Sequence, residues 1–188
     1  MVCGRNGYRV RVIADLLASR IRDVPDYPKP GVVFKDITPL LADPKAFRAM
    51  TGEFARLARD LGATKVVGLE ARGFILAAPV AVEASIGFIP VRKAGKLPGA
   101  VHAVSYQLEY GSATIEVHQD SFQPGDRVLV VDDVLATGGT AAAAVEAVRA
   151  CGAEPVGVAV LLELTFLAGR ERLAEAAPDL PVNTLLSV

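Results

Sequence analysis

Val128-Leu129-Val130-Val131-Asp132-Asp133-Val134-Leu135-Ala136-Thr137-Gly138-Gly139-Thr140 reads as a buried strand, two carboxylates, a small-residue loop and the start of a helix. In open parallel α/β sheets, ligands bind outside the carboxyl ends of the strands, which is where such a loop sits. The helix after it presents unpaired backbone N–H groups and the positive end of its dipole. Gly138 and Gly139 let those amides approach an anion, Thr137 and Thr140 add hydroxyls, and the loop suits a phosphate monoester. Asp132 and Asp133 need another partner, because they would repel a phosphate. A ribose diol supplies one, since carboxylates accept hydrogen bonds from vicinal hydroxyls while a nearby divalent cation offsets the charge. A phosphate cradle beside diol acceptors reads as a ribose 5-phosphate site. The plainer alternative is a strand end with two solvated aspartates and a glycine turn. Neither a GxxxxGK[ST] loop nor a GxGxxG fingerprint occurs in the chain.

Working outward, short apolar strands alternate with helices. Residues 65–69 read as a strand, 73–85 as a helix, 88–91 as a strand, 127–131 as a strand, 141–150 as a helix and 156–162 as a strand. That rhythm predicts an α/β fold with a mostly parallel central sheet flanked by helices. Between residues 93 and 123 the pattern becomes polar and alternating, with candidate strands around Tyr106 and Ile115, and predicts a mobile loop followed by an antiparallel hairpin. Residues 178–188 read as a last edge strand. Upstream, Val12, Ile13, Leu16, Leu17 and Ile21 recur at helical spacing, in a helix that stops before Pro25. Pro28-Lys29-Pro30-Gly31 is a stiff turn into an extended Val32-Val33-Phe34. Asp43-Pro44 signals a second helix, with Phe47, Met50, Phe54, Leu57 and Leu61 on one face and Gly62 at its end.

The 188 residues, 52% hydrophobic and 22% charged, suit one domain over 1–188 with a core large enough to need no staples. A net charge of −1 argues against a nucleic-acid partner. The run 74–82, interrupted by Pro79, falls well short of the ~20 residues of a bilayer span, so no membrane association is expected. With no apolar signal segment visible at the start, the expected location is cytoplasmic. Cys3 and Cys151 lack CxxC spacing, and His102 and His118 cannot make a multi-histidine zinc site.

The 130–140 segment resembles the phosphoribosyl pyrophosphate motif of the type I phosphoribosyltransferases. Pro30-Gly31-Val32-Val33-Phe34-Lys35-Asp36-Ile37-Thr38-Pro39-Leu40-Leu41 resembles the base-binding segment of the family's adenine-specific members, and Glu70-Ala71-Arg72-Gly73-Phe74 resembles their pyrophosphate loop. Arg92-Lys93-Ala94-Gly95-Lys96-Leu97-Pro98-Gly99 and Ser105-Tyr106-Gln107-Leu108-Glu109-Tyr110-Gly111 resemble their catalytic loop. The similarity runs from about residue 23 to 173 in the family's order. It implies a type I phosphoribosyltransferase-like fold, with an N-terminal hood over about 1–40.

It also implies Mg²⁺-dependent transfer of ribose 5-phosphate from phosphoribosyl pyrophosphate to N9 of adenine, releasing AMP and pyrophosphate in purine salvage. Ala136, Thr137, Gly138, Gly139 and Thr140 would hold the 5-phosphate, and Asp132 and Asp133 the ribose hydroxyls. Arg72 would clamp the pyrophosphate, with Lys93 and Lys96 closing over it. Glu109 would exchange a proton at the purine imidazole edge, and Tyr110 would pack over the donor. Phe34, beside Val33, would stack on adenine, and the main chain of Lys35 would read its edge. No direct metal ligand is expected, the Mg²⁺ being held by the donor and water. The resemblance further implies a homodimer. The competing readings are transfer to another nucleobase and a non-catalytic regulator that senses phosphoribosyl pyrophosphate.

Overall fold

The computed structural model describes residues 4–107 and 111–188, with side chains from residue 11 onward. The chain divides into two compact units, Met1–Glu53 and Phe54–Val188.

In the first unit, α1 (Gly4–Ala18) ends before the helical spacing does, and Ile21 lies outside it. The following residues form β1 (Arg22–Pro25), which pairs antiparallel with β2 (Val33–Asp36) in a two-stranded sheet that places Val24 opposite Phe34. Pro25 is tolerated there because a two-stranded sheet consists only of edges. Two cross-strand ion pairs fix the register: Arg22 with Asp36 at 2.5 Å and Lys35 with Asp23 at 2.8 Å. A short α2 (Thr38–Ala42) follows, which the sequence spacing does not announce. At the expected start of α3 (Pro44–Asp60), Asp43 Oδ1 accepts the N–H groups of Lys45 at 2.9 Å and Ala46 at 3.1 Å.

The second unit holds a seven-stranded sheet in the order β5-β6-β4-β3-β7-β8-β9. Its parallel part comprises β3 (Lys65–Leu69), β4 (Gly87–Lys93), β7 (Arg127–Leu135), β8 (Glu154–Glu163) and β9 (Val182–Ser187). Helices α4 (Arg72–Ala84) and α5 (Gly139–Ala150) lie close to the expected spans. Val67, Val130, Val158 and Val160 are fully buried, as two-sided coverage of a parallel sheet requires. Gly68 lets α4 approach β3, because a Cβ there would stand 2.8 Å from that of Ala77.

The hairpin β5 (Val101–Gln107) and β6 (Ser112–His118) is antiparallel, and β6 also pairs antiparallel with β4, so the hairpin extends the central sheet. Two further elements depart from the sequence reading. β7 continues to Leu135 and carries both aspartates within it, because β8 pairs with it as far as Leu135 opposite Glu163. A helix α6 (Gly169–Ala176) stands where no helix is expected. No helix among the described residues is long and apolar enough to cross a membrane.

Candidate active site

Strands β4, β3 and β7 are parallel neighbours, so their carboxyl ends lie side by side. They carry Arg92 and Lys93 at the end of β4, Glu70 and Arg72 just past β3, and Asp132 and Asp133 on β7 just beyond its last pairing with β3. Sequence reasoning scatters these groups over three segments, and the sheet gathers them.

The cradle runs from Ala136 to Thr140 into α5. Gly138 caps the helix with φ of 78°, a left-handed conformation suited to glycine, and no side chain caps the first turn. The first-turn amides are thus left without a side-chain acceptor, as an anion site needs. The loop is braced from behind by the start of α6. A Cβ on Gly138 would strike the carbonyl oxygen of Gly169, and a Cβ on Gly169 would strike that of Ala136. The end of β5 closes from the other side. Thr140 Oγ1 donates to Tyr106 Oη at 3.1 Å, and a Cβ on Gly139 would stand 3.2 Å from the Tyr106 ring. Arg172 of α6 donates to the Gln107 carbonyl at 3.2 Å. Tyr106, Gly169 and Arg172 were not among the expected site residues. Tyr106 at least lies in a segment carrying the family resemblance, whereas no local signal marks Gly169.

The two acids are in direct contact. Asp133 is buried, its Oδ2 lies 2.8 Å from Arg72 Nε, and its N–H donates to Asp132 Oδ1 at 2.9 Å. Gly73 brings the first turn of α4 against the pair, since a Cβ there would stand 2.9 Å from Asp132 Oδ1. Burial, and then the charge of Asp133, push the Asp132 carboxyl well above the usual carboxylate range. Two crowded carboxylates of this kind are stabilised by hydroxyl donors or by positive charge arriving beside them.

Glu70 gathers the cations of the neighbouring strand and loop. Its Oε1 accepts from Lys96 Nζ at 2.7 Å, and its Oε2 accepts the Lys93 N–H at 2.9 Å. Led by the Lys96 hydrogen bond, these contacts lower its pKa to about 2. The Glu70–Ala71 peptide is cis.

In the first unit, Val33, Phe34 and Lys35 lie on β2. Val33 is exposed, and the Phe34 ring meets Tyr27 edge-on with centroids 5.2 Å apart. Glu109 and Tyr110 lie outside the described residues. Among the described residues, no three His, Cys, Asp or Glu side chains gather as a metal site. The adjacent acids Asp132 and Asp133 are compatible with a nearby Mg²⁺ that would be carried by substrate oxygens and water, the usual manner of binding for that ion.

A family model described as a phosphoribosyl transferase domain matches residues 37–180. A relative from Streptomyces coelicolor, named adenine phosphoribosyltransferase, is 67% identical over 176 residues, covering 94% of this chain and 97% of its own. The solved adenine phosphoribosyltransferase of Rhodothermus marinus matches with a TM-score of 0.88 at 49% identity, over 95% of this chain and 99% of that one. The Trypanosoma brucei enzyme, solved with AMP, pyrophosphate and ribose 5-phosphate, matches with a TM-score of 0.85 at 31% identity, over 93% of this chain and 79% of that one.

Proposed function

The chain belongs to the adenine phosphoribosyltransferases, enzymes that convert adenine and phosphoribosyl pyrophosphate to AMP and pyrophosphate in purine salvage, and from that premise we propose how its residues divide the work. The observation that carries the assignment is the glycine cradle at the start of α5, directly downstream of the Asp132–Asp133 pair on β7. The free amides of α5, with Thr137 and Thr140, bind the 5-phosphate. Asp132 and Asp133 accept the ribose hydroxyls.

As the bond from C1 of the ribose to pyrophosphate breaks and the bond to N9 of adenine forms, positive charge develops on the sugar. The crowded carboxylates gain from that charge more in the transition state than in the ground state, which is the condition for catalysis. Arg72, Lys93 and Lys96 receive the departing pyrophosphate, and closure of their loop excludes water. Glu109 exchanges the imidazole proton, and Tyr110 covers the donor. Phe34, flanked by Val33, stacks on the base, while the N–H and C=O of Lys35 match the N1 acceptor and 6-amino donor of adenine. Hypoxanthine and guanine present the reverse pattern there, a mismatch costing about 1–3 kcal/mol for each buried group left unpaired. Bound Mg²⁺ supplies charge neutralisation at the diphosphate.

The reading implies a cytoplasmic enzyme. It also implies a homodimer, for which α4 offers a face: Ile75 and Val82 are exposed two helical turns apart, on the side of Pro79.

The assay that tests this offers adenine, hypoxanthine, guanine, xanthine and orotate separately with phosphoribosyl pyrophosphate and Mg²⁺, and follows products by mass spectrometry. AMP from adenine alone is expected. Product from another base would remove the roles given to Phe34 and Lys35, and no product with the donor still bound would point to a sensor. A second expected result concerns the loop. Lys96→Ala lowers turnover by about tenfold or more, the weight of one charge-assisted contact, and leaves AMP affinity within about twofold. Steady-state kinetics and AMP titration check it, and collapse of AMP affinity would refute the assigned role.

A further inference from the structure

Glu70 is surrounded by donors that the reaction needs elsewhere. Its side chain is only 10% exposed, whereas Lys96 beside it is 49% exposed. Oε1 is taken by Lys96 Nζ, and Oε2 by the Lys93 N–H. Arg92 Nε stands 3.5 Å from Oε2, too far for a good hydrogen bond, and it is a buried nitrogen with no hydrogen-bond partner. The same guanidinium donates through Nη1 to the Lys96 carbonyl at 3.0 Å, so Arg92 and Lys96 are held as one unit. The neighbouring Glu116 accepts the Gly95 N–H at 2.9 Å, anchoring the loop from β6. One carboxylate therefore serves three donors and satisfies one of them poorly. A diphosphate has more acceptor oxygens than a carboxylate and could satisfy all three.

We propose that Glu70 is a positioning residue that competes with pyrophosphate for Lys96, Arg92 and the Lys93 amide, and that this competition hastens release of the product. The inference rests on the reaction assigned above. Its logic is electrostatic. Glu70 keeps the cations gathered at the edge of the site, and each contact the diphosphate makes with them must be taken from a carboxylate already there. Cations held in advance lose less freedom on binding, and the retained negative charge keeps the bound product from becoming trapped.

A purely structural Glu70 predicts the opposite sign from a competing one. If it only staples the loop, its removal loosens Lys96 and weakens pyrophosphate binding. If it competes, its removal tightens binding. The test is calorimetric titration of pyrophosphate with Mg²⁺ into the full-length wild type and Glu70→Gln, alongside product inhibition of AMP synthesis. Glu70→Gln is expected to bind pyrophosphate about tenfold more tightly, the scale of one charged contact, and to lower KM for phosphoribosyl pyrophosphate and kcat together. In a Lys96→Ala background the gain from Glu70→Gln falls to about twofold or less, because the contested cation is gone.

Unchanged or weaker pyrophosphate binding in a folded Glu70→Gln protein overturns the proposal. Should that variant fail to fold, Glu70→Asp keeps the charge but is one methylene too short to hold Lys96 at 2.7 Å. It is expected to tighten pyrophosphate binding by a smaller factor, and unchanged affinity there is equally fatal. A wild-type chain that forms no AMP and binds no pyrophosphate overturns the functional reading, and the proposal with it.

Discussion

Asp133→Asn is expected to lower kcat/KM for AMP formation by about 10²–10³, the usual weight of a buried group aimed at developing charge, while the protein still folds. The side chain is 8% exposed and keeps its shape on substitution, so no cavity opens. The variant loses the charge that faces Arg72 Nε at 2.8 Å, which weakens the fold. It also removes the charge that helps to raise the Asp132 pKa, which strengthens it. The sign follows from linkage. A carboxyl whose folded pKa lies above its unfolded value destabilises the native state once pH exceeds that unfolded value, so relieving Asp132 offsets part of the lost ion pair near neutrality.

The melting temperature should therefore change little while turnover falls steeply. The acid limb of the pH–rate profile supplies an independent reading. In the wild type, activity falls as Asp132 takes a proton, at a pH above the ordinary 3.8. In the variant that limb moves to lower pH. Steady-state kinetics from pH 4 to 8 with thermal melts at each pH check both points. Near-normal turnover would undo the assignment of the ribose diol to this pair.

What the sequence disclosed about the fold was local. Asp43-Pro44 marks the start of α3 because capping is decided within one turn, and the strand at 65–69 is legible because its apolar run is short and bounded. The strand-loop-helix unit around Gly138 was legible for the same reason, since its glycines and hydroxyls serve adjacent amides. Partners far away in sequence were not legible. β1 contains a proline and exists through its pairing with β2, and β7 outruns its apolar stretch because β8 is there to continue the ladder. Within the site, the family resemblance implied Arg72 as a clamp, yet nothing in the sequence placed its Nε against Asp133. Glu70 was legible as part of a loop motif, and its hold on Lys96, 26 residues away, was not.

Gly169 is the sharpest case of such a distant partner, and Gly169→Ala is expected to damage the phosphate site from behind. The added methyl would run into the carbonyl oxygen of Ala136, and Gly169 N–Cα geometry already sets the Cβ position only 3.0 Å from Gly138 N. Both obstacles are backbone, so no flexible side chain can yield. Either α6 backs away or the cradle shifts. Overpacking of this kind costs about 1–3 kcal/mol of stability, and moving the amides by a fraction of an ångström degrades the geometry that receives the phosphate. Affinity for both AMP and phosphoribosyl pyrophosphate should fall by about tenfold to a hundredfold, because the two ligands share the 5-phosphate.

Gly152→Ala is the control. Gly152 has φ of 76° and nothing within 4 Å of a Cβ, so it carries backbone strain without touching the site. It should lower the melting temperature, at a cost of about 1 kcal/mol, and leave AMP affinity near wild type. Thermal melts and AMP titrations on both variants separate the effects. A Gly169→Ala protein that melts early but binds AMP normally would mean that α6 supports only the fold, and that the cradle holds its shape without the brace.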